Sequence, residues 1–589
     1  MVETNHDDLK QFVYHDDLER FVYAPFGRTR DMNVGRAVIE QLVANGIDTL
    51  FGIPGKQTLP LNEAIGSRED VEFVVCRHET AVSHAAWGYA ETSGNPAGTV
   101  VIPGPGDMNA MNGLKNALND CTPLVHLAIE TDPDIRGGDG IHETPPDTYD
   151  NVVKLNTVVE HPESTLVELQ QAIDVAMTPP KGPVRVGIPK SFLKQRVPLA
   201  RPPTYSREHT VDVPTDAVEE AVELLTTHTE PVVLAGGGVR VANATTELLA
   251  VAEELDAPIV TTYKGKGVVA DSHSRVAGTL SGSASPELLE CLASADVLLG
   301  VGTDFDAVGT RAWSVEMPEK IVHVTLEPKD IGTGYDPSVG IVADAKDALT
   351  ELTAALAETK HDDSSDAESD GIQRAQTVRT ATENRLEPLL DDEPPLTSVR
   401  ALRAAREGIP SEGIVTVDAG GFRVWGLNVF EAAGPRSYVN PGSWATMGTG
   451  LPSGIGAQLA NPDSDVVVLT GDGGLMMCVH ELHTAASEGL PVTVVVFNNS
   501  DYAIISEEAG RSFELPEQTY SWAGTPLDFT AIADGMGLET MRASQPHEIV
   551  STIQEAVELD APVLVEIPTD PDEPQASTWM TAHERYLSR

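Results

Sequence analysis

From residue 33 the chain settles into a regular pattern in which short apolar runs, the mark of buried strands, alternate with amphipathic or small-residue stretches that read as helices. Residues 38–43 predict a helix, 49–52 a strand and Pro54-Gly55 a turn; strands follow at 71–76, 98–102, 124–129 and 184–188, with a helix over 81–91. The pattern repeats from residue 215, with strands at 231–235, 258–262, 297–301 and 321–326. It repeats once more from residue 395, with strands at 413–417, 465–469, 492–497 and 563–567. Alternation of this kind predicts an α/β chain of three doubly wound parallel-sheet domains, spanning 31–197, 212–358 and 393–589. The proline-rich residues 198–203 read as a linker, 359–392 as an acidic linker and helix with 360–371 flexible, and 1–30 as an N-terminal extension of unassigned purpose.

Composition narrows the function classes. The 589 residues carry 39 Lys+Arg against 90 Asp+Glu, a formal charge of −51, which repels phosphate backbones and anionic lipid, so neither nucleic acid nor membrane is expected as a partner. Acidic residues spread along the whole chain resemble the surfaces of salt-adapted proteins, whose self-repulsion is screened by concentrated salt. The four cysteines have no C-x-x-C spacing, which argues against a zinc site or a disulfide framework and fits a reducing cytoplasm. The N-terminal 30 residues contain no apolar run long enough for export or membrane spanning.

The chemistry gathers in the last unit. A buried strand runs into Gly471-Asp472-Gly473-Gly474, and the next strand ends in Asn498-Asn499; the 24 residues from Gly474 to Phe497 suffice for one right-handed crossover. Both polar loops then lie side by side at the carboxyl ends of parallel strands, where open α/β sheets bind ligands. Mg²⁺ takes hard oxygen ligands, few of them from protein, and Asp472 with Asn499 suits it; glycine backbone at a helix start suits a diphosphate.

These residues resemble the thiamine-diphosphate signature of the acetolactate synthase and pyruvate decarboxylase superfamily. Phe51-Gly52-Ile53-Pro54-Gly55, Arg77-His78-Glu79, Gly104-Pro105-Gly106 with Asn109, and Met447-Gly448-Thr449-Gly450-Leu451-Pro452 resemble its other landmarks in the same order. The resemblance implies pyrimidine-binding, central and diphosphate-binding domains, thiamine diphosphate and Mg²⁺ as cofactors, and a homodimer or homotetramer whose active sites are shared between subunits. It implies that Glu79 hydrogen-bonds the aminopyrimidine, aided by a desolvated site that favours its protonated form. It further implies that Met447 props the cofactor, and that Asp472, Asn499 and the main-chain carbonyl of Asp501 hold the metal. Pro54, Gly55, Gly104, Asn109, Gly471, Gly473, Gly474 and Ile504 complete the expected cofactor contacts.

The implied reaction is decarboxylation of a 2-oxo acid with transfer of the resulting enamine to a second carbonyl. Two departures bear on it. Ile505 stands where pyruvate decarboxylases carry glutamate, and Glu508 where acetolactate synthases carry tryptophan. His142, beside Glu143, replaces a glutamine and is a candidate proton shuttle near the substrate. The segment 278–282 lacks the Met-His pair that resembles a flavin contact, and Gly236–Gly238 alone is a poor nucleotide fingerprint, so the residues argue against FAD more than for it; the need for a regulatory subunit is not readable from the sequence. A simple decarboxylase, an acyl-transferring relative and a non-catalytic cofactor-binding regulatory protein are the alternatives. His480-Glu481-Leu482-His483 reads as a helix face and Lys264-Gly265-Lys266-Gly267 as a turn.

Overall fold

A computed structural model describes residues 30–138, 142–199, 204–205, 212–359, 369–516 and 519–586. Three six-stranded, wholly parallel sheets follow one another along the chain. In the first, the spatial order is Glu72–Val75, Thr49–Gly52, Ala97–Val101, Leu124–Glu130, Val184–Pro189, Leu155–Val158. The second runs Val276–Leu280, Ile259–Thr262, Pro231–Ala235, Val297–Val301, Lys320–Thr325, Val339–Val342, and the third Tyr438–Val439, Ile414–Val417, Val466–Gly471, Val492–Asn498, Val563–Pro568, Glu539–Arg542. The inner strands are buried nearly throughout and rich in Val, Leu, Ile and Ala because helices cover both sheet faces.

The expected α/β class is therefore the observed one. Two boundaries differ from expectation. Pro198 belongs to the strand Arg196–Leu199, which pairs antiparallel with Arg30–Asn33, so the start of the proline-rich stretch is sheet rather than linker. Edge strands tolerate proline where its missing N–H faces away from the partner. Asp370 and Gly371 open the helix Asp370–Leu386, capped by the Ser369 hydroxyl, so the far end of the acidic stretch is helical; residues 1–29 and 360–368 lie outside the described part.

Contacts between domains are tight. The helix Glu79–Ser93 lies against Gly450–Ala460 so closely that a Cβ on Gly456 would sit 1.9 Å from the Ala85 carbonyl oxygen, and one on Gly88 2.3 Å from that of Ser453. Charges bind the central domain to the first. Buried Glu91 pairs with Arg240 and, at 3.3 Å, with Lys264, which also reaches Asp120 at 2.8 Å. Burial alone would raise the Glu91 carboxyl, but Arg240 and Lys264 overcome it and hold it down at about 2. The turn expected at 264–267 is present, and its first lysine serves this network.

Candidate active site

The third sheet brings the two polar loops together. Strands Val466–Gly471 and Val492–Asn498 are direct neighbours, with Gly471 opposite Phe497, and the Ser500 N–H donates to the Asp472 carboxylate over 2.6 Å. The other Asp472 oxygen accepts the Gly473 N–H at 2.8 Å, and the Asn499 side-chain oxygen accepts the Asp501 N–H at 3.2 Å. Burial pushes the Asp472 carboxyl up to about 6, against the pull of these N–H groups. Asp501 is buried as well; one carboxylate oxygen takes the Ser506 hydroxyl at 2.7 Å and the other has no partner among the described residues.

The glycines are needed for space. A Cβ on Gly473 would lie 2.7 Å from the Tyr502 ring and 3.3 Å from the Met447 methyl, and one on Gly474 2.7 Å from the Asp418 carboxylate. Gly471 faces Phe422 at 3.4 Å, and Ile504 faces Gly421 at the same distance, each measured from an added Cβ. Met447, Gly471, Asp472, Gly473, Gly474, Asn499, Asp501 and Ile504 thus form one cluster.

Two further residues organise this edge. Asp418 lies at the end of the strand Ile414–Val417 and accepts N–H bonds from Ala419, Gly448 and Thr449 and the Thr470 hydroxyl. It pins the Met447 loop to the glycine loop, and burial raises its own carboxyl to about 6. Glu481 is fully buried and accepts the backbone N–H groups of Arg77 and His78, both at 2.9 Å. The stretch 480–483 is therefore not simply a helix face, since its glutamate ties the first domain to the third. An acid ending a buried strand was the available signal for Asp418; partners some 400 residues away left none for Glu481.

A second cluster lies in the first domain. Glu79 begins its helix after the His78 cap, and its carboxylate accepts the Asn109 amide at 3.1 Å. Glu79 is partly exposed in the single chain, in contrast to the desolvated setting expected from sequence. A Cβ on Gly106 would meet Ile102 at 2.7 Å and the Glu79 carboxylate at 3.0 Å; Pro54-Gly55 lies beside Ile102 just ahead of the turn, which falls at 56–58 rather than at Pro54-Gly55 itself, with 2.3 Å left for a Cβ on Gly55. Gly104, at φ +66°, donates its N–H to Thr144 and leaves only 2.6 Å between an added Cβ and the backbone of His142. His142 itself holds φ +67°, and its ring lies 3.5 Å from the Gln57 amide.

Among the described residues, no hydrogen bond or ion pair joins Glu79, Asn109 or His142 to Asp472, Asn499 or Asp501. Arg77 and His78 touch Glu481, nine residues past Asp472, so the chain sets Glu79 beside the far end of the segment that Asp472 starts. The site is built in two halves.

Comparison with known proteins identifies the three domains. Residues 32–151 match the thiamine pyrophosphate enzyme N-terminal binding domain, 218–352 its central domain and 418–567 its C-terminal binding domain. The chain belongs to the thiamine pyrophosphate enzyme family. It is 30% identical over 557 residues to a probable acetolactate synthase large subunit of Methanococcus aeolicus, covering 92% of each chain. The acetolactate synthase large subunit of Corynebacterium glutamicum is 29% identical, with 91% of this chain and 86% of the relative covered, and isozyme 1 of Escherichia coli is 27% identical, with 91% and 94%.

Proposed function

We propose that the protein is an acetolactate-synthase-like carboligase: it decarboxylates a 2-oxo acid and joins the remaining fragment to a second carbonyl. The carrying observation is the pair of loops that bring Asp472 and Asn499 to one sheet edge, in a chain whose relatives are named acetolactate synthase large subunits.

The residues fit both cofactors. A buried carboxylate raised to about 6 is short of positive charge, and Asp472, Asn499 and the Asp501 carbonyl offer the hard oxygens Mg²⁺ prefers. The glycine backbone at 471–474 leaves room for a diphosphate, and Met447 stands next to it. Bound thiamine diphosphate supplies the electron sink for loss of CO₂. Glu79, oriented by Asn109, holds the proton shared with the pyrimidine ring nitrogen, and His142 passes protons at the substrate.

Oligomerisation completes the site in this reading, since among the described residues no hydrogen bond or ion pair joins the Glu79 half to the Asp472 half. Exposed Met108, Trp444, Met476, Met477, Tyr502 and Ile505 border the two halves and supply apolar surface for a second copy. No described helix is long and apolar enough to cross a membrane. A cytoplasmic, salt-adapted enzyme fits the charge. A separate regulatory subunit is consistent with relatives that are named large subunits. FAD is not required by the scheme: Gly236 and Gly238 are accounted for by packing on Gly302. A cavity of about 500 Å³ between the first and central domains, lined by Asn119, Asp120, Gly237, Arg240, Asp304 and Glu327 among others, is where flavin absorbance of the purified protein would be explained.

The test is CO₂ release from a panel of 2-oxo acids with thiamine diphosphate and Mg²⁺ in multimolar KCl, with product analysis. Acetolactate formed from pyruvate supports carboligation, free aldehyde a simple decarboxylase and acyl phosphate an acyl-transferring relative. Cofactor binding with no CO₂ from any acid would leave the non-catalytic alternative.

A further inference from the structure

The segment that follows the last inner strand of the third sheet crosses the same edge as the metal and glycine loops. It leaves the strand Val563–Pro568 with the Thr569 N–H on the Asn498 carbonyl at 2.9 Å and the Asp570 N–H on Leu396 at 2.9 Å. Glu573, buried, then accepts both the N–H and the hydroxyl of Ser398 at 2.5 Å, and the Trp579 indole donates to the Arg385 carbonyl at 3.0 Å. Gln575 lies between these two anchors. A Cβ built on Gly421 would be 3.8 Å from the Gln575 side-chain oxygen and 3.4 Å from Ile504, on the loop that Asp418 starts.

Gln575 is half-buried, and its side-chain amide, open to solvent, makes no hydrogen bond among the described residues. A rigidly anchored backbone that carries an unpaired amide to a ligand-binding edge is poised to bind something from solution. The neighbouring candidate is not available for this. Glu508, on the same helix as Ile504, is turned into ion pairs of the outer face with Arg511, and a carboxylate there would in any case repel an anionic substrate.

We infer that Gln575 is a specificity-determining residue whose amide N–H donates to the carboxylate of the 2-oxo acid. This rests on the proposed 2-oxo acid chemistry and adds the residue that reads the acid group. Apolar Ile504 and side-chain-free Gly421 beside it leave space for a small aliphatic chain.

The test is calorimetric binding of oxamate, an unreactive 2-oxo acid analogue, to the protein loaded with thiamine diphosphate and Mg²⁺, alongside CO₂ release. Gln575→Ala is expected to weaken oxamate binding and raise KM for the 2-oxo acid about tenfold or more, since bonds to charged groups are of that strength. The isosteric Gln575→Glu is expected to weaken both further, and cofactor affinity is expected to stay within about twofold of wild type, which also reports folding. Equal oxamate binding in wild type and both variants overturns the assignment while leaving the carboligase reading intact. So does loss of cofactor affinity, which would place the amide on the diphosphate instead. A wild-type holoprotein that neither binds oxamate nor releases CO₂ overturns the 2-oxo acid reading and this inference with it.

Discussion

Glu573 illustrates how a single buried group sets a pH dependence. Burial raises its carboxyl to about 7 despite the bonds from Ser398. An acid raised on folding binds more protons in the native state than in the unfolded state between its unfolded value, about 4.5, and about 7. Its contribution to stability is therefore greatest below the unfolded value and falls as pH rises through the window. Gln at this position cannot titrate. Relative to Glu573→Gln, the wild type is expected to lose on the order of 2 kcal/mol of stability between pH 5 and 8, read from denaturant midpoints in concentrated KCl. Parallel pH profiles for the two proteins would refute this. Asp418 and Asp472 are raised for the same reason, but neither burial nor partners at any of the three could be read from residue type. Asp472 was recognisable only because glycines surround it and Asn499 recurs one crossover later.

At the scale of elements, the contact between Glu79–Ser93 and Gly450–Ala460 joins the first domain to the third and positions Glu79. Small residues allow it: Ala85 and Gly88 face Ser453 and Gly456 with no room for a further carbon. Gly456→Ala is expected to destabilise by roughly 1–3 kcal/mol through overpacking, whereas Gly66→Ala, where an added Cβ meets nothing within 4 Å, is expected to stay within about 1 kcal/mol of wild type. Urea midpoints measure both, and equal midpoints would show that the helices can separate freely. The small-residue helix at 81–91 was legible from its composition. Its partner was not, because a stripe of Gly and Ala says that something approaches closely without saying what.

For the whole molecule, a formal charge of −51 on 589 residues means that the folded chain repels itself over distances comparable to its own size unless salt screens it. Thermal melts are expected to shift upward strongly from dilute buffer to multimolar KCl; coincident melts would remove the salt-adaptation reading. The two-halved site carries a second expectation. Glu79→Gln and Asp472→Asn are each expected to lower turnover at least tenfold alone, and mixing the two variants after reversible dissociation is expected to restore roughly a quarter of wild-type activity in a dimer, because one of the two sites in each mixed dimer is intact. No recovery on mixing would mean that each chain builds its site alone.

Local sequence by itself determined the inner strands of the three parallel sheets, because a strand buried on both faces is largely apolar and each crossover needs a helix-length segment before the next; the edge strands Leu155–Val158, Val276–Leu280, Val339–Val342, Tyr438–Val439 and Glu539–Arg542 were not legible in it. It also determined that the loops of Asp472 and Asn499 lie side by side, since one crossover fixes which strand ends are neighbours. Only the tertiary structure decided what joins across hundreds of residues. Glu481 receives the N–H groups of Arg77 and His78, Lys264 bridges Glu91 and Asp120, and Gln575 arrives beside Gly421. Such pairs are set by how packed domains meet, and short-range periodicity carries no record of that.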